Sequence, residues 1–141
     1  MTLPDTLVNQ AQLEAAAQRL AGRILGPATF CLEGPLGAGK STFARAFLRA
    51  FGVPGDIPSP TFTLVEVYDG YGPNGIDIWH VDAYRLISPQ EAEPLGLIEA
   101  FDMALCLVEW PDKLGSLIPD DAMHIHIAHA EAADMRRLTL P

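Results

Sequence analysis

The chain has 141 residues, 49% of them hydrophobic, with a formal net charge of −9 and an isoelectric point near 4.6. That is the size of one domain over residues 1–141, able to bury about two-thirds of its unfolded surface, and a second catalytic domain is not expected. The acidic balance argues against an independent grip on nucleic acid, which needs clustered Lys and Arg against phosphate, and suits solubility and basic partners.

Asn9 to Leu25 carries Leu13, Ala16, Ala17, Leu20 and Ile24 at helical spacing, with Asn9 as N-cap and Gly26-Pro27 as the stop. Ala28 to Glu33 is a short apolar strand that runs into a glycine loop, and Ser41 to Phe51 follows as an amphipathic helix ending at Gly52. A Pro- and Gly-rich segment, Val53 to Pro60, leads to two expected strands, Thr61 to Tyr68 and Ile76 to Val81, paired as a hairpin around the turn-forming residues 69–75. Ser88 to Gly96 reads as a short helix with Pro89 at its first position. Ala104 to Glu109 is a continuous apolar run of the buried, parallel kind. Met123 to Ala128 and Arg137 to Leu140 close the chain as two antiparallel strands. Cys31 and Cys106 fall in apolar runs and read as reduced core thiols rather than a disulfide. No apolar run approaches the roughly 20 residues of a membrane helix, so a soluble, cytoplasmic protein is expected.

The segment Leu32-Glu33-Gly34-Pro35-Leu36-Gly37-Ala38-Gly39-Lys40-Ser41-Thr42 contains G-x-x-x-x-G-K-[ST], with a strand before it and a helix after it. Gly37 and Gly39 let the backbone curl so that N–H groups from Leu36 to Thr42 point at phosphate oxygens, and the helix start adds its positive dipole end. Lys40 then bridges the β- and γ-phosphates, and the Ser41 hydroxyl takes Mg²⁺. Lys40 and Lys113 are the only lysines, so one of two sits inside this loop.

A phosphate loop needs a carboxylate on the metal side, at the end of a neighbouring buried strand. Glu109 ends Leu105-Cys106-Leu107-Val108 and fits that place, at the strand edge where open α/β sheets bind ligands. Asp82, which also ends an apolar strand, is the second candidate, although an ion pair with Arg85 would explain it equally well.

Four blocks carry a family resemblance: Gly34 to Ser41, Ser59-Pro60-Thr61-Phe62-Thr63-Leu64, His80-Val81-Asp82-Ala83-Tyr84-Arg85-Leu86 and Glu109-Trp110-Pro111. In order and spacing the chain resembles the TsaE (YjeE) family across nearly its whole length. That family is a bacterial P-loop ATPase which, with TsaB and TsaD type partner proteins, makes threonylcarbamoyladenosine in tRNAs that read codons starting with A. The resemblance implies a three-layer α/β P-loop fold with a mixed sheet, parallel near the nucleotide and antiparallel at its edge. It also implies that Ser41 and Glu109 ligate Mg²⁺, that Asp82 supports the metal or the attacking water, that Ser59 to Thr63 act as a switch-like loop, and that Trp110 lies near the nucleotide. Contact with tRNA would pass through the partners.

Two residues depart from the family pattern: Pro35, where an Asp commonly follows the first glycine, and Ser41 in place of the commoner Thr. Serine is equivalent as a metal hydroxyl, and Pro35 removes an N–H where the loop has only begun to curl. The Asn-Lys-x-Asp signature for guanine is nowhere in the chain, which favours ATP over GTP. A small-molecule kinase is the rival enzyme, but a lid of arginines is hard to build from seven, of which Arg85 has an obvious route to the site. A nucleotide-dependent binding module with negligible turnover is the reading from another class. His80, inside a strand, reads as a hydrogen-bonded structural residue rather than a base. His124 and His126 share a strand face, but two histidines without a third ligand are weak ground for zinc.

Overall fold

The computed structural model of the protein describes residues 5–60 and 64–141. Seven strands form one mixed sheet in the order β1-β7-β6-β2-β5-β4-β3. They are β1 (Thr6–Val8), β2 (Ala28–Glu33), β3 (Val65–Tyr68), β4 (Ile78–Asp82), β5 (Leu105–Glu109), β6 (Met123–His129) and β7 (Arg136–Thr139). The four central strands β6, β2, β5 and β4 run parallel. Both edges are antiparallel, with β7 and β1 beyond β6 on one side and β3 beyond β4 on the other.

Strand alternation divides the core into two layers. Phe30 and Leu32 of β2, Leu105 and Leu107 of β5, and Ile125 and Ile127 of β6 face the helices α1 (Gln10–Ala21) and α2 (Lys40–Ala50). On that side Phe47 of α2 meets the Phe30 ring at a centroid distance of 5.9 Å. Cys31, Val81, Cys106 and Val108 face the opposite layer, built from α3 (Leu97–Met103) and Leu114. Helices on both faces of a parallel centre give the expected three layers.

The helix α1 starts as its sequence requires. Asn9 Oδ1 accepts from Gln12 N at 2.8 Å while Gln12 Oε1 accepts from Asn9 N at 2.8 Å, a reciprocal capping box. It stops at Gly22, short of Gly26-Pro27, because Arg23 N and Ile24 N turn to carbonyls three residues back, Leu20 O and Ala21 O, and tighten the last turn. The hairpin of β3 and β4 is present, with Val65 opposite Val81 and Tyr68 opposite Ile78. The first part of its expected leading strand, Thr61 to Thr63, lies outside the described residues. Pro89–Leu95 is a 3₁₀ helix rather than an α-helix, consistent with Pro94 inside it, which cannot donate a ladder hydrogen bond. The short strand β1 and the helix α3 were not anticipated. The terminal strands pair with each other as expected, but β6 also pairs in parallel with β2, which places it in the sheet's centre.

Candidate functional site

The loop from β2 to α2 is shaped by two glycines that no other residue replaces. A Cβ on Gly34, at φ +152, would lie 1.9 Å from Ile127 O of β6. Gly39 caps α2 at φ 114 and ψ 12, in left-handed territory, and a Cβ there would press Leu13 Cδ2 at 3.1 Å. Having no side chain, this N-cap leaves the first N–H groups of α2, on Lys40, Ser41 and Thr42, without a capping partner. Together they form an anion cradle at the positive end of an 11-residue helix.

Parallel strands β4 and β5 bring the two carboxylates opposite that cradle. Asp82 and Glu109 are direct neighbours across the ladder, at the carboxyl ends of their strands. Alternation from Ile78 and Leu105 puts both on the α1–α2 side of the sheet, together with His80. They are buried polar residues, 5% and 3% exposed. Asp82 Oδ1 accepts from Tyr84 N at 3.0 Å, and Glu109 Oε2 pairs with His80 Nε2 at 2.7 Å.

Lys40 lies between cradle and carboxylates. It is buried, and its ammonium donates to the carbonyls of Gly34 and Pro35. The same ammonium lies 3.7 Å from the centroid of the Trp110 ring. Burial pushes the Lys40 pKa down, while the carboxylates of Glu109, Asp82 and Asp112 pull the other way. Trp110 itself has a left-handed backbone, φ 59 and ψ 55, and its ring centroid is 5.0 Å from that of Tyr84.

A cleft of about 250 Å³ joins these groups: it is lined by Leu36, Gly37, Gly39, Lys40, Ser41, Thr42, Asp82, Glu109 and Trp110. Of the glycine-loop residues, carboxylates and tryptophan expected at the site, Ala38 alone lies outside the lining; it is buried, and its N–H closes the turn onto Pro35 O at 3.2 Å. Of the switch-like segment Ser59 to Thr63, the residues Thr61 to Thr63 lie outside the described residues.

Arg136 also lines the cleft, which corrects the expectation that Arg85 alone has a route to it. Arg85 is exposed and outside this lining. The antiparallel return of β7 along β6 brings Arg136 back to the glycine loop, where its guanidinium donates to Ala133 O at 2.9 Å and Met135 O at 3.0 Å. A second cavity of about 470 Å³ adjoins the first and shares Gly39, Thr42 and Arg136 with it. It reaches from there to Asn9, Gln10 and Asp134. The histidines divide: His129 Nε2 donates to Leu36 O of the loop at 3.1 Å, whereas His124 and His126 lie on the other face and meet Glu33 Oε2 at 3.0 and 3.2 Å. Among the described residues no group of three or more His, Cys, Asp or Glu is arranged to hold a metal.

A family model described as "Threonylcarbamoyl adenosine biosynthesis protein TsaE" matches residues 7–138. The chain belongs to the TsaE family. Relatives named as tRNA threonylcarbamoyladenosine biosynthesis protein TsaE include one from Haemophilus influenzae, 39% identical over 103 residues, covering 72% of this chain and 63% of the relative. Another, from Bacillus subtilis, is 37% identical over 134 residues, covering 94% of this chain and 80% of the relative. The chain thus spans less than two-thirds of the first relative's length and about four-fifths of the second's. Among solved structures, YdiB of Bacillus subtilis superposes with a TM-score of 0.80 at 29% identity, over 99% of this chain and 84% of that one. No helix among the described residues is long and apolar enough to cross a membrane.

Proposed function

We propose that this TsaE protein is the Mg²⁺-dependent, ATP-binding and slowly hydrolysing component of the tRNA N6-threonylcarbamoyladenosine machinery, acting in the cytoplasm through TsaB and TsaD type partners. One observation carries the reading: the uncapped amino end of α2 with Lys40 faces Asp82 and Glu109, which end two adjacent parallel strands. Backbone N–H groups and Lys40 supply positive potential for phosphates, and the strand ends supply negative charge for a cation between them.

The donors suit magnesium. Ser41 offers a hydroxyl and Asp82 and Glu109 offer carboxylate oxygens, a hard all-oxygen set that leaves room for phosphate oxygens and water. When bound, the ion neutralises charge on the transferred phosphoryl group. Lys40 must leave the carbonyls of Gly34 and Pro35 and the Trp110 face to reach phosphate. The cavity beside Asn9 and Asp134 offers room for the rest of the nucleotide, and Arg136, which lines both cavities, would meet its phosphates there.

Among the described residues that line the cleft no side chain is placed as the water-aligning group of efficient NTPases, in keeping with slow turnover alone. The Lys40–Trp110 contact also favours a second reading, a module whose loaded and empty states differ and whose turnover is negligible. Calorimetric titration of Mg-ATP into wild type and Lys40→Ala tests the site: loss of binding in the folded variant is expected, and equal affinity would overturn it. Hydrolysis measured with both partners present separates the ATPase from the module.

A further inference from the structure

The metal side of the cleft depends on how Glu109 is held. His80 Nε2 lies 2.7 Å from Glu109 Oε2, with the two residues 1% and 3% exposed. The other ring nitrogen, His80 Nδ1, is buried and has no hydrogen-bond partner among the described residues. That asymmetry assigns the proton. On Nδ1 it would be a buried donor with nothing to receive it, the costlier kind of orphan. On Nε2 it makes a charge-assisted bond to the carboxylate and leaves only a lone pair unmatched.

We propose that His80 is a positioning residue for Glu109: its Nε2–H occupies Oε2 and fixes the carboxylate so that Oε1 is presented to Mg²⁺ or its waters beside Ser41 and Asp82. The inference rests on reading the cleft as a Mg-nucleotide site. Ladder geometry supports the role. Glu109 stands directly opposite Asp82, and His80, two residues before Asp82 on the same face, reaches Glu109 along the diagonal. The strand β4 thereby sets both carboxylates, Asp82 from its own backbone and Glu109 through the imidazole. A ring on two torsions loses less freedom when ordered than the three-torsion Glu side chain it restrains. Removing such an outer partner of a metal ligand costs about 10- to 100-fold in metal affinity.

Calorimetric titration of ADP into wild type, His80→Phe and His80→Gln, with magnesium and with EDTA, tests this. In His80→Phe the magnesium concentration that half-saturates the ADP complex rises about 10- to 100-fold, while ADP affinity in EDTA stays at the wild-type value. His80→Gln, whose amide N–H₂ can reach Oε2, keeps the wild-type magnesium requirement within a few-fold. In a Glu109→Gln background His80→Phe adds nothing further, because it acts through that carboxylate. Should His80→Phe not fold, His80→Asn, one methylene too short to reach Oε2, takes its place against His80→Gln. A wild-type magnesium requirement in the folded Phe or Asn variant overturns the proposal. So does an equal loss of ADP affinity with and without magnesium, the pattern of a merely structural histidine. Wild-type protein that binds ADP identically in magnesium and EDTA would instead overturn the metal reading of the cleft, and this proposal with it.

Discussion

The Lys40 ammonium, held over the Trp110 indole at 3.7 Å from its centroid, is also bonded to the carbonyls of Gly34 and Pro35 in its own loop. The cation that phosphates would need is thus occupied by neutral acceptors and an aromatic face. A cation–π contact contributes about 0.5–2 kcal/mol. A triphosphate offers ionised oxygens, which attract an ammonium more strongly than neutral carbonyls and a ring face do, so a bound triphosphate should draw Lys40 away from the ring.

Trp110 emission should therefore change when Mg-ATP is added, and Lys40→Ala should shift the emission of the nucleotide-free protein. Trp79, on the β3–β4 hairpin and away from the cleft lining, should respond less. A Trp110→Phe protein that keeps the full fluorescence change would make Trp79 the reporter and remove the Lys40 exchange.

Glu109→Gln and Asp82→Asn should each raise the magnesium requirement for nucleotide binding about 10- to 100-fold and lower hydrolysis with it. The fold should survive Glu109→Gln, because the amide oxygen of Gln still accepts from His80 Nε2–H and fills the same volume. Thermal midpoints read beside the magnesium titrations separate the two effects. If Glu109→Gln behaves as wild type while Asp82→Asn does not, Asp82 is the metal-side carboxylate and Glu109 is structural.

What was legible in the sequence was what is local. The glycine loop announces itself because Gly34, Gly39, Lys40 and Ser41 fall within eight residues between an apolar strand and an amphipathic helix. Glu109 was visible because four buried residues lead to it. The partners of these groups come from far along the chain. Arg136 reaches the loop only because β7 pairs with β6 and β6 with β2, and His80 reaches Glu109 only through the register of β4 with β5. Neither pairing leaves a periodic mark at the residue concerned. The strand β1 escaped notice because its three residues are too few to show alternation, and its place is set by Leu7 lying opposite Arg137 of β7.

Arg136 yields a prediction that the sequence did not contain. Arg136→Ala should weaken Mg-ATP binding by about 1.5–3 kcal/mol, the range for hydrogen bonds to charged groups. Arg137→Ala is the internal control, since adjacent strand residues face opposite sides and Arg137 is exposed. Equal affinities for both variants in calorimetry would remove Arg136 from the site.

Alkaline pH should expose the two buried thiols as a stability effect. Burial pushes Cys31 and Cys106 up to about 12 from an ordinary 9.0, with Glu33 adding to the rise at Cys31. Below pH 9 both states hold the proton and nothing changes. Between pH 9 and about 12 the unfolded thiols ionise while the folded ones do not. Stability then falls by about 1.4 kcal/mol per thiol per pH unit. Denaturant unfolding of wild type and of Cys31→Ala/Cys106→Ala should diverge only above pH 9, and parallel curves to higher pH would contradict the assignment.

The last prediction concerns dependence on partners. On the proposed reading the cleft holds phosphates with the start of α2, Lys40 and Arg136 and a metal with two carboxylates, but among the described residues no side chain is aligned to activate a water, so hydrolysis by the protein alone should be weak. Its net charge of −9 opposes direct contact with tRNA, whose phosphates need basic residues, so on the proposed reading a tRNA role is expected to pass through more basic partners. Nucleotide is expected to act as the switch, because moving Lys40 off Trp110 alters the ring that packs against Tyr84, a residue 42% exposed. A partner contacting that residue would sense the loaded state. Purified protein should thus hydrolyse ATP slowly, faster when TsaB and TsaD type proteins are both added, and the three should associate more tightly with ATP than without. Tyr84→Ala should reduce the ATP-dependence of that association while leaving Mg-ATP affinity of the isolated protein within about tenfold, since a lost aromatic contact contributes about 0.5–1.5 kcal/mol. Fast hydrolysis by the protein alone, indifferent to both partners, would show that the cleft is complete without them.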